Sequence, residues 1–258
     1  MPASIDENKS PTMDASLHSL DPFLPKPMQP HPTDSLPASQ SPAIFWWIVL
    51  GTVGLALLPT LWTELDLQAA GLFIGSTPRI HAVQWWWVEW INAYIPAAFR
   101  VLLLIALVGW LWTTLGKHGK AWRLPLAFVV LAGTLGPGLV VNSVFKDNWQ
   151  RARPYQVEPF GGTQQFTRAT VMTDQCNNNC SFVSGHVACG FFLASLMLVD
   201  RRRRVRWGVT GVAAGLVIGF ARMAAGGHWL SDVLWAGPIT LLCSWVVWKL
   251  LIRLYKPR

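Results

Sequence analysis

Charged residues are scarce in this chain of 258 residues. Asp, Glu, Lys and Arg together make up 13% of it, whereas soluble domains carry about 25%. Hydrophobic residues account for 52% of the chain, including 16 tryptophans. This balance argues against an ordinary soluble domain and indicates a protein that lies in a membrane.

Acidic residues are fewer than basic ones. The chain has 13 acidic and 21 basic residues, which gives a net charge of +8. An excess of positive charge is one signature of proteins that bind nucleic acid. Here the basic residues form short clusters beside apolar segments, and no RNA- or DNA-binding motif accompanies them. We interpret the clusters as topology signals and phosphate ligands and expect no nucleic-acid partner.

The chain has only four cysteines. Cys189 and Cys243 lie in apolar segments, where cysteine behaves as a small hydrophobic residue. Cys176 and Cys180 lie in a polar loop that lacks further Cys or His at the spacing of a zinc site, so no metal is predicted. If this loop lies outside the cytoplasm, the pair is able to form a local disulfide.

The first 42 residues lack apolar periodicity and contain nine of the 18 prolines. We predict that residues 1–42 form a disordered cytoplasmic tail. They also lack the basic-then-apolar layout of a cleavable signal, so the first apolar segment is expected to act as an uncleaved signal anchor. Residues 43–258 are expected to form one membrane domain.

Long apolar segments dominate the rest of the chain. A bilayer requires about 20 residues of helix to cross it, and six segments approach that length. They are Ala43–Trp62, Ala93–Leu115, Leu124–Phe145, Gly185–Val199, Trp207–Ala225 and Trp229–Ile252. The predicted fold is therefore an all-α bundle of six transmembrane helices. In the fifth, glycines 211, 215 and 219 recur every four residues and predict a face that approaches a neighbouring helix closely.

Two features near the second segment allow alternative interpretations. Trp85 to Trp90 is dense in indole rings, which predicts either an interfacial helix in the outer leaflet or ordinary packing against neighbouring helices. Arg100 lies inside the segment. Its side chain either extends to the outer headgroups or faces the cavity of the active site.

Clusters of basic residues predict the orientation. They follow the second, fourth and sixth segments, which places them on one side of a six-helix bundle together with the N-terminal tail. The clusters are Lys117, Lys120 and Arg123; Arg201 to Arg204 with Arg206; and Arg253, Lys256 and Arg258. The positive-inside rule makes this side cytoplasmic, so the remaining polar loops lie on the opposite, extracytoplasmic side.

Three cations stand at the extracytoplasmic ends of the segments: Lys146, Arg153 and Arg222. Ionisable groups so close to hydrocarbon are costly and usually functional. Preorganised cations stabilise the charge that a phosphoryl group carries in transfer. The alternative is that Lys146 and Arg153 are interfacial anchors; for Arg222, late in the fifth segment, this alternative is weaker because a buried cation needs a partner.

His228 and Asp232 stand four residues apart, so on a helix they would share one face. A carboxylate that accepts a hydrogen bond from one imidazole nitrogen fixes the tautomer and leaves the other nitrogen free. That free nitrogen is able to attack phosphorus and form a phosphohistidine. The alternative is a structural His–Asp pair at a helix end.

Ser184-Gly185-His186 opens the fourth segment. A Ser at the N-cap, a Gly that permits close approach, and free helix N–H groups together favour an anion-binding corner. His186 would point into the same cavity as a general acid, a role that imidazole suits near neutral pH. The alternative is that Ser184 only caps the helix.

Taken together, these motifs resemble those of a known family. Their order is Lys146, six residues, Arg153-Pro154; Ser184-Gly185-His186; then Arg222, five residues, His228, three residues, Asp232. This spacing resembles the type 2 phosphatidic acid phosphatase superfamily of integral membrane lipid phosphatases, and with the six segments it covers nearly everything after the tail.

The resemblance implies a metal-independent enzyme without a cofactor, acting on a membrane lipid through a phosphohistidine. The implied roles are phosphate binding by Lys146, Arg153 and Arg222, nucleophilic attack by His228, orientation by Asp232, and protonation of the leaving group by His186. Two positions depart from the family pattern: Val183 stands where Pro is usual and Ala221 where Ser is usual. Val183 loosens the turn, and Ala221 removes one hydroxyl donor to phosphate.

The stretch from Cys176 to His186 also resembles the subgroup that acts on bacterial lipid A, particularly the 1-position phosphatases. Related members act on undecaprenyl diphosphate or phosphatidylglycerol phosphate, so the substrate stays open. The resemblance implies a site facing the periplasm from the bacterial inner membrane. Three other functions remain as alternatives: a lipid-to-lipid phosphotransferase, a vanadate-dependent haloperoxidase and a carrier of phosphorylated lipids.

Overall fold

The computed structural model describes residues 42–76, 80–116 and 118–255. The described part of the chain is helical and contains no β-strand; one isolated bridge joins Val157 and Gln164. The predicted tail lies outside the described residues except for Pro42, as do three of the cations that were predicted to be cytoplasmic, namely Lys117, Lys256 and Arg258.

Eight α-helices follow one another along the described chain. They are α1 Ala43–Leu61, α2 Glu64–Gly71, α3 Trp86–Leu115, α4 Arg123–Gly133, α5 Lys146–Trp149, α6 Gly185–Ser195, α7 Arg204–Ala224 and α8 Leu230–Leu254. Five helical stretches are long and apolar enough to cross a membrane. The helix Gly185–Leu198 has fewer than 18 residues, so the count of six crossings stays a prediction.

The tryptophan-rich segment is not a separate interfacial helix. Helix α3 begins at Trp86 instead of Ala93, so these indoles belong to its first turns. Trp85 and Trp87 lie against Phe220 of α7, with ring centroids 5.9 and 5.7 Å apart from it, whereas Trp86 is exposed. Packing against neighbouring helices therefore accounts for two of the rings.

The third predicted segment changes its winding halfway. Helix α4 continues directly into a π-helix, Thr134–Phe145, and then into α5. Pro137 lies inside the π-helix and lacks a backbone N–H, and its carbonyl accepts a hydrogen bond from the Asn142 side chain at 2.8 Å. Such wide turns often occur at functional sites. Lys146 follows this one directly and lies at the end of the bundle.

Helix α6 lies between α7 and α8 and packs on both. Gly211, Gly215 and Gly219 all face neighbours that a Cβ atom would overlap: Ala194 and Phe191 on α6, and Val233 on α8. The predicted close-approach face of the fifth segment is therefore confirmed. Because α6 starts inside this tight packing, its first residues lie beside the first turn of α8.

Candidate active site

The predicted site residues gather where four helix ends meet. The Ser184 N–H, just before α6, donates to the Asp232 carbonyl in the first turn of α8 at 3.4 Å. Lys146 begins α5, and Arg222 lies in the last turn of α7. The three separate motifs of the sequence thus meet at one end of the bundle.

His228 is almost completely buried, with 2% of its surface exposed. Its Nδ1 lies 2.8 Å from the Ser181 carbonyl oxygen. Because a carbonyl only accepts, this contact places the proton on Nδ1 and leaves Nε2 unprotonated. Burial lowers the pKa of His228 to about 3; the Arg222 charge acts in the same direction, and Asp232 opposes both. The imidazole is therefore neutral at physiological pH.

The contact between Asp232 and His228 differs from the predicted direct hydrogen bond. Its Oδ2 lies 3.7 Å from Nδ1 of His228, which is longer than a hydrogen bond. The same oxygen accepts hydrogen bonds from the Ser181 hydroxyl and, at 2.9 Å, from the Trp229 N–H. The reason is that α8 begins only at Leu230, so His228 precedes the helix and the pair does not occupy successive turns. Asp232 therefore holds Ser181, which contacts the imidazole, and its charge lies beside the ring.

Lys146 and Arg153 converge on one loop residue, Asn179. The Lys146 Nζ donates to its side-chain oxygen at 2.9 Å, and Arg153 donates to its carbonyl oxygen from Nε at 3.1 Å and from Nη2 at 2.7 Å. Asn179 has a left-handed backbone with φ of 49°. Cys176 and Cys180 are joined by a disulfide, with Cα atoms 5.7 Å apart, so the predicted pair is confirmed and encloses Asn179.

Arg222 and His186 are joined through Asn92 of α3. The Arg222 Nη1 donates to the Asn92 side-chain oxygen at 2.7 Å, and the His186 Nε2 lies 3.2 Å from the Asn92 carbonyl oxygen. The Asn92 amide also donates to the Ala221 carbonyl at 3.3 Å. A Cβ atom at position 227 would lie 2.6 Å from Nη2 of Arg222 and would displace this end of the guanidinium group.

Two buried polar atoms of this site have no hydrogen-bond partner among the described residues. They are the Ser184 hydroxyl oxygen and the Arg222 Nε. Ser184 does not cap α6 with its side chain, so the capping alternative does not hold. Since buried polar groups are nearly always paired, these two atoms suit an anionic ligand.

A cavity of about 270 Å³ opens beside the site. One part of it is polar and includes Lys146, Gly185 and His186, and another part is apolar and includes Phe99 and Leu103. Arg100 also lines this cavity, which agrees with the second of its two sequence interpretations. A pocket with both parts fits a ligand that carries a charged head and a hydrocarbon chain.

Sequence reasoning missed several residues of this site. Arg151, between the two motif cations, is fully buried and forms ion pairs with Asp66 at 2.8 Å and Asp232 at 2.6 Å. The sequence contained a signal for two of these residues: Arg151 is a third cation in the first motif, and Asp66 is an acidic residue between apolar segments. Ser181, Asn92 and Asn179 carried no comparable signal.

Among the described residues, no group of three or more His, Cys, Asp or Glu side chains is arranged to hold a metal ion.

Comparison with known proteins identifies the family. Residues 122–256 match the model of the PAP2 superfamily. A lipid A 4'-phosphatase of Francisella tularensis subsp. novicida is 35% identical over 75% of this chain and 89% of its own. A lipid A 4'-phosphatase of Rhizobium etli is 32% identical over 81% of this chain and 84% of its own. Another, from Rhizobium leguminosarum, is 36% identical over 54% of this chain and 60% of its own.

No solved structure matches the chain. The relatives are named for the 4' position, whereas the sequence around Cys176 had suggested the 1-position subgroup; that finer expectation is not supported. Family, helical membrane fold and relatives agree with one another. The chain belongs to the PAP2 superfamily and is a multi-pass membrane lipid phosphatase.

Proposed function

We propose that this protein removes the 4'-phosphate of lipid A at the periplasmic face of the bacterial inner membrane, through a phosphohistidine on His228. The observation that carries the mechanism is the contact of the His228 Nδ1 with the Ser181 carbonyl at 2.8 Å, which leaves Nε2 free to attack. The position on the lipid is supported by the names of the three relatives.

Phosphate binding falls to the cations and to the start of α6. Lys146, Arg153 and Arg222 supply positive charge, and Arg offers a planar pair of donors to two oxygens. The unpaired Ser184 hydroxyl and Arg222 Nε supply two further donors. Gly185 leaves the helix N-terminus open, because a Cβ atom there would lie 3.0 Å from the Asn142 side-chain oxygen.

The reaction then proceeds in two steps. The Nε2 of His228 attacks phosphorus and the bond from phosphorus to the sugar oxygen breaks. His186, which enters this step as imidazolium beside the bound phosphate anion, gives that oxygen a proton. Next, a water molecule attacks the phosphohistidine while His186 takes up its proton. Inorganic phosphate leaves, and both imidazoles return to their starting state.

Two features support the periplasmic orientation. The disulfide between Cys176 and Cys180 lies in the loop beside the site, and disulfides persist in oxidising compartments such as the periplasm. Arg201 to Arg204 follow the other end of α6, where the positive-inside rule places the cytoplasm.

The test is a phosphatase assay with purified protein in detergent. Lipid A carrying phosphate at both positions is the main substrate, and undecaprenyl diphosphate, phosphatidylglycerol phosphate and phosphatidate complete the panel. We expect mass spectrometry to show loss of the 4'-phosphate and an equal amount of inorganic phosphate. Less phosphate than lipid consumed would indicate the phosphotransferase instead, and loss from the 1 position would contradict the assignment.

Replacement of the nucleophile tests the mechanism. His228→Ala should abolish turnover and the acid-labile, base-stable phosphoprotein that rapid quenching traps in the native enzyme. His81→Ala is the matched control, because His81 is exposed and should retain full activity. Turnover by a folded His228→Ala protein would refute the phosphohistidine.

A further inference from the structure

We propose that Arg151 and Asp66 are positioning residues for His228, which hold Asp232 and Ser181 in place and, together with Asp232, leave one net negative charge behind the imidazole. Neither belongs to the phosphate-binding or catalytic set proposed above. The inference rests on that proposed function, since it requires His228 to be the nucleophile.

The Arg151 guanidinium is fixed on every side. Its Nη1 donates to Asp232 Oδ1 at 2.6 Å and to the Ser231 hydroxyl at 2.8 Å, and its Nε donates to the Thr167 carbonyl at 2.9 Å. Two aromatic rings flank it: the guanidinium carbon lies 5.6 Å from the ring centroid of Phe166 and 5.3 Å from that of Trp229. An arginine with no exposed surface and so many partners has one orientation.

Asp66 completes the arrangement from the other side. It lies on α2, outside the residues that match the family model. Its Oδ2 accepts from Arg151 Nη2 at 2.8 Å and from the Ser231 hydroxyl at 2.6 Å, while its Oδ1 accepts the Ser231 N–H at 2.8 Å. Asp66 thereby joins α2 to both Arg151 and the first turn of α8.

Arg151 reaches His228 by two routes that both end at Ser181. Through its side chain it holds Asp232, whose Oδ2 accepts the Ser181 hydroxyl. Through its backbone carbonyl it accepts the Ser181 N–H at 2.9 Å. The Ser181 carbonyl in turn lies 2.8 Å from the His228 Nδ1. A shift of Arg151 therefore moves the one group that fixes the tautomer of His228.

The charges explain why two carboxylates are present. A structural connection would need only Arg151 and Asp232, whose charges sum to zero. Burying a third charge is costly. Burial raises the pKa of Asp66, but the donors from Arg151 and Ser231 favour its ionised form. With Asp66 ionised, the cluster carries a net charge of minus one. When Nε2 binds phosphorus while Nδ1 keeps its proton, the ring becomes positive. A fixed negative charge behind it stabilises that state more than the neutral resting ring.

Other charges also face His228. Arg222 of α7 and Lys146 of α5 oppose positive charge on the ring, and Asp232 of α8 favours it. The two cations serve the phosphate, so an opposing charge is needed on the protein side of the imidazole. Arg151 is paired with both Asp66 and Asp232. Because Asp66 shares the positive charge of Arg151, more of the negative charge of Asp232 is left to act on the imidazole.

The experiment compares Asp66→Asn, Arg151→Gln and Arg151→Lys in the full-length protein, assayed on lipid A. Asp66→Asn and Arg151→Gln should lower kcat by about 10–100-fold, the range found for groups that orient a functional imidazole from behind, with KM within about twofold of native. Arg151→Lys should recover part of the loss, because it restores the charge but not the fork that reaches both carboxylates.

Controls and a second readout keep the inference open to refutation. Glu64→Gln on the same helix and Arg168→Gln on the same loop are exposed matched controls and should be unchanged. Rates are expressed per folded molecule, counted by monodisperse gel filtration and thermal unfolding. If the variants fold less well but each folded molecule keeps native kcat, Arg151 and Asp66 are structural only and the inference is wrong.

The native enzyme and His228→Ala are quenched in parallel for trapped phosphoprotein. If native enzyme dephosphorylates lipid A but traps no phosphohistidine, the proposed function fails. If it traps phosphohistidine and Asp66→Asn traps it at the native rate, only the positioning role fails.

Discussion

The two halves of this active site are built in opposite ways. Around His228 the cluster of Asp66, Arg151, Asp232 and Ser181 is fully buried, and its polar side chains are paired with one another. On the phosphate side the three cations donate to two asparagines, Asn179 and Asn92, which are exposed or partly exposed. Two buried donors there lack a partner among the described residues.

This difference indicates a division of labour. A nucleophile gains from being preorganised, because a small displacement of the attacking atom is expensive. A phosphate site gains from donors that remain unpaired until the anion arrives, because protein partners would have to be displaced. We therefore expect changes in the buried half to reduce both stability and turnover, and changes in the open half to reduce turnover alone.

The largest effect is expected from Asp232→Asn. The amide keeps the shape but offers one acceptor where the carboxylate serves Arg151, Ser181 and the Trp229 N–H. We predict a loss of kcat of about 10³-fold, somewhat less than where the carboxylate contacts the imidazole directly. Breaking the buried pair should also lower the free energy of unfolding by about 3 kcal/mol.

Steady-state kinetics and thermal unfolding in detergent measure both effects. Glu158→Gln is the matched control, because it also replaces a carboxylate by an amide, but at an exposed position. A variant with native melting temperature and native kcat would show that the buried cluster has no part in holding His228.

A smaller effect, of a different kind, is expected from Arg222→Gln. Arg222 has one side-chain partner, Asn92 at 2.7 Å, and it shares its surroundings with the like charge of Arg153. Removing this cation should lower kcat/KM by about 100-fold, as for the loss of one preorganised donor. The melting temperature should stay the same or rise, because repulsion among the cations is relieved.

Inorganic phosphate offers a second measurement on the same variant. An anion that binds only the folded protein raises its melting temperature, so phosphate should stabilise the native enzyme more than Arg222→Gln. Arg168→Gln, an exposed arginine, should behave like the native enzyme. If Arg222→Gln lost as much stability as Asp232→Asn, the contrast between the two halves would not hold.

The same contrast explains what the sequence predicted and what it did not. Apolar length located the six long helical segments to within a few residues, apart from the start of α3, because burial in a bilayer leaves a continuous apolar pattern. The short helices α2 and α5 were not predicted. The cations and imidazoles at the helix ends were predicted because ionisable groups near hydrocarbon stand out. The open half of the site was therefore visible in the sequence.

In the buried half, His228 and Asp232 were predicted, but the residues that hold them were not, because their contacts join residues far apart in the chain. Asp66 lies 85 positions from Arg151 and 165 from Ser231, and no local spacing encodes such a pair. The predicted contact of His228 with Asp232 assumed a continuous helix. The structure has Trp229 in an extended conformation with ψ of 160°, so His228 lies outside the helix, and Ser181 contacts both side chains.

The smallest effect is expected from the disulfide, which belongs to the open half. Cys176 and Cys180 enclose Asn179, on which both Lys146 and Arg153 converge. In a protein with both Cys176→Ser and Cys180→Ser, the loop gains freedom, and binding must then restrict it again. We predict a rise in KM on the order of 3–10-fold with kcat unchanged, because Ser181, which follows Cys180 and contacts His228, is held independently by Arg151 and Asp232. Dithiothreitol should reproduce the rise in the native enzyme and add nothing in the double variant, and Cys243→Ser in α8 should behave as native. A fall in kcat at constant KM would instead connect the loop to the nucleophile, and the two halves would then be one mechanical unit.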